Sequence, residues 1–209
     1  MDKIILDLCG GTGAWSKPYR DANYDVRLIT LPNNDVRTYM PPNNVYGILA
    51  APPCTMFSFA RTHAKTPRDM RGGMEIVIAC LRIIWECQYK IKGDTQRKPP
   101  LKFWALENPN GMLNWLLGNP FFTFNPYEFG DKYSKKTCLW GYFNKPIKTH
   151  VLSKSKYGKF DQLRMDELRE IRRSEINSIS DIIWKQKNRQ ELRSITPQGF
   201  ARSFFWANQ

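Results

Sequence analysis

In the first half of the chain, hydrophobic residues fall into short runs that stop abruptly at turn-formers. Lys3-Ile4-Ile5-Leu6-Asp7-Leu8 has the density of a buried strand. It gives way at once to Gly10-Gly11-Thr12-Gly13, and a helix is expected from about Trp15. Tyr24 to Ile29 alternates enough for a second strand, and Tyr46-Gly47-Ile48-Leu49-Ala50-Ala51 is a third apolar run, halted by Pro52-Pro53. Between Gly73 and Tyr89, Ile76, Val77, Cys80, Leu81, Ile84 and Cys87 recur at helical spacing. Phe103-Trp104-Ala105-Leu106 reads as a fourth strand, ending at Glu107-Asn108-Pro109. Strands alternating with helices, each strand closing on a polar or glycine-rich turn, predict a doubly wound α/β sheet with functional groups at the strand ends.

The pattern changes after Gly141. Residues 144–160 are basic and weakly patterned, 161–183 read as a charged amphipathic helix or helix pair, and 197–208 as a terminal helix beginning at Thr196. No internal repeat, low-complexity tract or linker interrupts the chain. The expected organisation is one domain formed by 1–143 and 191–209, with a short basic and helical insertion at 144–190.

Composition narrows the class. The chain has 209 residues, and 32 Lys and Arg against 19 Asp and Glu give a net charge of +13. The mean hydropathy is −0.53, and no apolar run approaches the roughly 18 residues a membrane span needs. With an N-terminus that opens directly on Ile4-Ile5-Leu6, the sequence predicts a cytoplasmic protein without a membrane anchor or signal peptide. The five cysteines, Cys9, Cys54, Cys80, Cys87 and Cys138, include no CxxC pair, so neither a disulfide framework nor a metal site is indicated. Residues 1–60 carry five basic and five acidic side chains and are neutral, so the excess lies entirely beyond them. Lys132 to Lys159 holds eight lysines and no acid, interleaved with Tyr133, Trp140, Tyr142, Phe143 and Tyr157. That is the composition of a surface facing a polyanion, with nucleic acid the leading partner and a merely solvated basic face the alternative.

Three strand ends carry candidate chemistry. The turn Gly10-Gly11-Thr12-Gly13 lets backbone approach a ligand and aims helix N-terminal amides at it, which selects a nucleoside-type cofactor without saying which. Pro52-Pro53-Cys54-Thr55-Met56-Phe57-Ser58 sets a thiol on a proline-stiffened loop, where main-chain amides and Arg61 are expected to favour the thiolate; a small buried hydrophobe is the alternative. Leu106-Glu107-Asn108-Pro109 puts a carboxyl on the same rim, where desolvation would keep it protonated and able to give a proton to a ring nitrogen.

With these residues in place, the sequence resembles the DNA (cytosine-5) methyltransferase family, particularly its short phage-type members. Asp7-Leu8-Cys9-Gly10-Gly11-Thr12-Gly13-Ala14-Trp15 is similar to the family's cofactor motif, Pro53-Cys54-Thr55-Met56-Phe57-Ser58 to its nucleophile motif, and Glu107-Asn108-Pro109 to its acidic motif. Phe129-Gly130-Asp131 through Lys135-Lys136-Thr137-Cys138-Leu139-Trp140-Gly141 resembles the basic strand that follows, and Arg193 through Phe205 the C-terminal segment. The likeness spans most of 4–141 and 193–206, in the family's order. It implies a Rossmann-like methyltransferase sheet using S-adenosylmethionine, held by Asp7, Leu8, Cys9, Gly11, Gly13, Trp15, Asp35 and Pro53. It also implies Cys54 as nucleophile, Glu107 as the acid at N3, Lys135 and Lys136 in place of the motif's arginines, and DNA as substrate with the cytosine flipped out. The sequence departs from the family at the second strand's end, where Arg27-Leu28-Ile29-Thr30 stands instead of an acid for the ribose. The target-recognition stretch is also short, so recognition would be relaxed, use a very short site or depend on a protein partner. A non-catalytic cofactor- or DNA-binding homologue and an amino-methyltransferase are the competing readings.

Overall fold

The computed structural model describes residues 3–61, 64–89, 101–150, 165–173 and 189–209. Six strands form one sheet: β1 (Ile4–Leu8), β2 (Asp25–Ile29), β3 (Val45–Ala50), β4 (Phe103–Pro109), β5 (Phe122–Phe124) and β6 (Thr137–Tyr142), in the order β2-β1-β3-β4-β6-β5. β1, β2, β3 and β4 are parallel, and β6 runs against both β4 and β5. The helices are α1 (Lys17–Asp21), α2 (Met70–Gln88), α3 (Leu113–Leu117), a 3-10 turn at Pro126–Phe129, α4 (Met165–Arg173), α5 (Arg189–Ser194) and α6 (Gln198–Ala207).

Strand alternation sends successive side chains to opposite faces, and each face has its own cover. Leu6, Leu8, Ile48 and Leu106 pack with Val77, Cys80, Ile83 and Ile84 of α2. Ile5, Leu49, Ala105 and Leu139 pack on the other side with Trp15, Tyr19, Phe200 and Phe204. Helical cover on both faces makes this the doubly wound, Rossmann-like α/β sheet that the sequence predicts. No helix among the described residues is long and apolar enough to cross a membrane.

The differences from expectation have local causes. α1 starts at Lys17 rather than near Trp15, because Thr12 to Ser16 remain in turns. α2 begins three residues before Gly73, since the Asp69 side chain accepts a hydrogen bond from Gly72 N at 2.8 Å and caps the helix there. β4 does not stop at Leu106 but runs through Pro109, held in register by Glu107↔Leu139, Asn108↔Cys138 and Pro109↔Thr137 across β6. The helix expected within 161–183 is present as α4, while residues 151–164 and 174–188 of the insertion, with Lys154, Lys156 and Lys159, lie outside the described residues.

Candidate active site

β1 is flanked by β2 on one side and β3 on the other, so the connection from β1 turns one way and the connection from β2 crosses back over it. In such sheets the crevice beyond the carboxyl ends of the strands at this reversal is where ligands bind. Both glycine turn and cysteine loop leave the sheet there, after β1 and β3 respectively. Cys9 (φ 57°), Gly11 (φ 55°) and Gly13 (φ 71°) all adopt left-handed backbone, tightening the turn, and nothing lies within 4 Å of where a Gly11 Cβ would stand. After Pro53, the Cys54 carbonyl accepts from Phe57 N at 3.0 Å and Ser58 N at 2.9 Å, folding the loop back on itself.

A cavity of about 600 Å³ opens between these segments, lined among others by Cys9, Pro53, Cys54, Arg61, Lys135 and Arg193. Glu107 stands half-buried on the adjacent strand. Burial pushes the Glu107 carboxyl above its usual range, opposed by the Lys135 ammonium. Burial likewise pushes the Cys54 thiol up; Lys135 opposes this, Glu107 adds to it, and Arg193 opposes it more weakly. The sequence-based expectation of a thiolate favoured by Arg61 is therefore corrected. Desolvation outweighs the nearby cations, and the Arg61 guanidinium is turned to Thr66 Oγ1 at 2.8 Å. Burial thus biases both Cys54 and Glu107 toward their neutral forms.

The two lysines separate. Lys135 Nζ donates to the Arg193 carbonyl at 2.9 Å, pinning α5 over the cavity. Lys136 is exposed; burial pushes the Cys138 thiol up to about 11, and the Lys136 ammonium opposes that rise instead of acting on Cys54 or Glu107. Two residues to which the sequence assigns no role enter the site. Asn108 is fully buried, and its Nδ2 donates to the Pro52 carbonyl at 2.9 Å, tying the acidic strand to the cysteine loop. Arg193 faces the cavity from α5, and its only sequence signal is membership of the C-terminal motif.

The remaining cofactor candidates divide by position. Cys9 and Pro53 line the cavity. Asp7 is buried beneath the turn, receiving a hydrogen bond from Ser16 Oγ at 2.5 Å on Oδ2, while Oδ1 has no partner among the described residues. Leu8 is core, with its carbonyl taken by Ala51 N at 2.9 Å. Trp15 is 1% exposed against Phe200 and Phe204. Asp35 lies on the loop after β2 with its carboxylate paired to Arg37, the shortest contact 2.6 Å.

No family model and no curated protein matches the chain. Among solved structures, it is similar to the Entamoeba histolytica methyltransferase EhMeth, with 13% identity and a TM-score of 0.38 over 73% of this chain and 57% of that one. It is also similar to the S. pombe Dnmt2 methyltransferase, with 12% identity and a TM-score of 0.37 over 81% of this chain and 59% of that one. The chain thus spans less than two thirds of either structure's length.

Proposed function

We propose that the chain is an S-adenosylmethionine-dependent methyltransferase acting at C5 of cytosine in DNA. The observation that carries this reading is the placement of Cys54 and Lys135 in one cavity with the glycine turn's Cys9, at the reversal point of the sheet, with the Glu107 strand tied to the cysteine loop through Asn108. The turn residues fit the cofactor: Cys9, Gly11 and Gly13 share left-handed backbone, the space beside Gly11 is open, and Cys9 and Pro53 share the cavity with the thiol. The ribose end carries no acid at the close of β2, and Asp35 would have to release Arg37 to serve it.

A thiol and a carboxyl that burial biases toward its protonated form suit addition to a pyrimidine better than direct substitution. Cys54 Sγ gives its proton to solvent water and bonds to C6 of a flipped cytosine, while Glu107 gives its proton to N3 and so prevents charge from building on the ring. The Lys135 ammonium favours the thiolate as it forms. C5 then becomes nucleophilic, and the chemistry that bound S-adenosylmethionine supplies there is an electrophilic methyl group. Solvent water takes the C5 proton, the electron pair re-forms the C5–C6 double bond and expels Cys54 as a thiolate that regains a proton from solvent, and N3's proton returns to Glu107.

Short duplexes carrying 5-fluorocytosine in varied contexts test this, because fluorine cannot leave as a proton and the adduct persists through denaturing electrophoresis. With S-adenosylmethionine present, the wild type is expected to trap and Cys54→Ser to lose both trapping and turnover. Cys9→Ser, Cys80→Ser, Cys87→Ser and Cys138→Ser should still trap, and Glu107→Gln should trap more slowly. Methyl transfer by Cys54→Ser would sink the mechanism, and a methyl group on the exocyclic amine would transfer the chain to the amino-methyltransferases.

A further inference from the structure

Phe59 and Trp115 are large aromatic residues left 47% and 71% exposed, yet they touch each other with ring centroids 5.6 Å apart at 54°. They come from different segments that are stitched at backbone level. Ser58 bridges Gly111, and Met112 N donates to the Phe57 carbonyl at 2.8 Å. A Cβ at Gly111 would stand 2.4 Å from that carbonyl oxygen, so only glycine allows the approach. The pair is therefore built, and its Phe59 adjoins the cavity: Ser58 and Ala60, on either side of Phe59, both line it.

The surroundings indicate what the rings receive. Residues 59–71 contain Arg61, Lys65, Arg68 and Arg71 against one acid, Asp69, whose carboxylate is engaged as the α2 cap. Among the described residues none of these four cations pairs with a carboxylate, and Arg68 bonds only the Met56 and Ser58 carbonyls, at 2.6 and 2.9 Å. Exposed aromatic faces set among unneutralised cations are how proteins hold single strands of nucleic acid, the rings taking bases and the cations taking phosphates.

We propose that Phe59 and Trp115 form a stacking platform for an unpaired nucleobase next to the one that enters the Cys54 cavity. The proposal rests on the nucleic-acid reading above and goes beyond it by assigning a site outside the reacting residues. A base left without its stacking neighbour when the target swings out would find a replacement surface on the two rings, lowering the cost of extrusion.

The test measures binding of a short labelled single strand and of the same strand with abasic positions in place of its bases. Trp115→Ala is expected to weaken the base-bearing strand about tenfold, Phe59→Ala to weaken it less, and Trp115→Phe to retain most of the affinity. The abasic strand should bind the wild type and Trp115→Ala alike, with an unchanged salt slope, since the phosphates are held as before. Equal binding of the base-bearing strand by wild type and Trp115→Ala overturns the platform, and so does an equal loss on the abasic strand. Fluorocytosine trapping by a wild type whose binding ignores Trp115 would leave the enzyme reading standing and remove the platform alone. Ring-dependent binding without trapping would do the reverse, and a wild type that binds no strand removes both. Concentration-dependent sedimentation abolished by Trp115→Ala would assign the pair to an interface between copies and overturn the proposal.

Discussion

Asp7 carries a cost that can be measured. It is fully buried, one of its oxygens has no partner among the described residues, and desolvation raises its pKa to about 6 despite the Ser16 hydrogen bond and the charge of Arg20. An acid whose folded pKa exceeds its unfolded value, about 3.9, favours folding in its protonated form. That stability is fully present below about pH 3.9 and is lost as pH rises through about 6. Two units correspond to about 3 kcal/mol at most. Asp7→Asn removes the titration, so its Tm relative to wild type should climb between about pH 4 and pH 7; parallel melting curves would show that Asp7 is not strained. At this scale the sequence was informative wherever a residue follows an apolar run, as Cys54 and Glu107 do. It was misleading where chemistry depends on partners. Arg61 is adjacent to the cysteine loop but turned to Thr66, whereas Arg193 reaches the cavity through a bond to Lys135, 58 residues away.

Among the elements, β4 shows why strand ends are hard to read. Glu107-Asn108-Pro109 has the composition of a turn, but β6 supplies three more pairs and keeps it extended, and nothing local to β4 foretells a partner some 30 residues on. β5, Phe122–Phe124, is too short for alternation to register, and α3 is likewise a five-residue helix. The extension of β4 has a use, because it carries Asn108 to the Pro52 carbonyl and so ties the strand that bears Glu107 to the loop that bears Cys54, the two groups proposed to react. Asn108→Ala strands that carbonyl in the core, which should cost about 1–3 kcal/mol and lower Tm by several degrees. Fluorocytosine trapping should slow further than the lost stability explains, measured well below the variant's Tm. Wild-type trapping rates in a destabilised Asn108→Ala would restrict the residue to packing.

For the whole molecule, charge separates from fold. The alternation of runs and turns was enough to predict the two-sided sheet, but the strand order with β6 inserted between β4 and β5 was not legible, because long-range pairing leaves no periodicity. Net charge was legible as a total and not as a surface, since it is the ion pairs, such as Lys148 with Glu128 at 2.8 Å, that decide which cations remain available. Lys65 and Arg71 are exposed, and no ion pair involves either among the described residues. If the basic surface meets DNA, affinity should fall steeply with salt, and Lys65→Gln with Arg71→Gln should flatten the logarithmic slope by about 0.9 for each phosphate that is no longer neutralised. A slope identical to wild type would place the DNA elsewhere. One consequence of the architecture concerns time. The face of the sheet beneath Trp15 and Tyr19 is closed by Phe200 and Phe204, and Tyr19 Oη reaches the Asn208 carbonyl across 189 residues of chain. A polypeptide emerging from the ribosome at roughly 5–20 residues per second must therefore hold that aromatic surface uncovered for about ten to forty seconds. Over that interval Trp15 and Tyr19 lack the helix that later covers them.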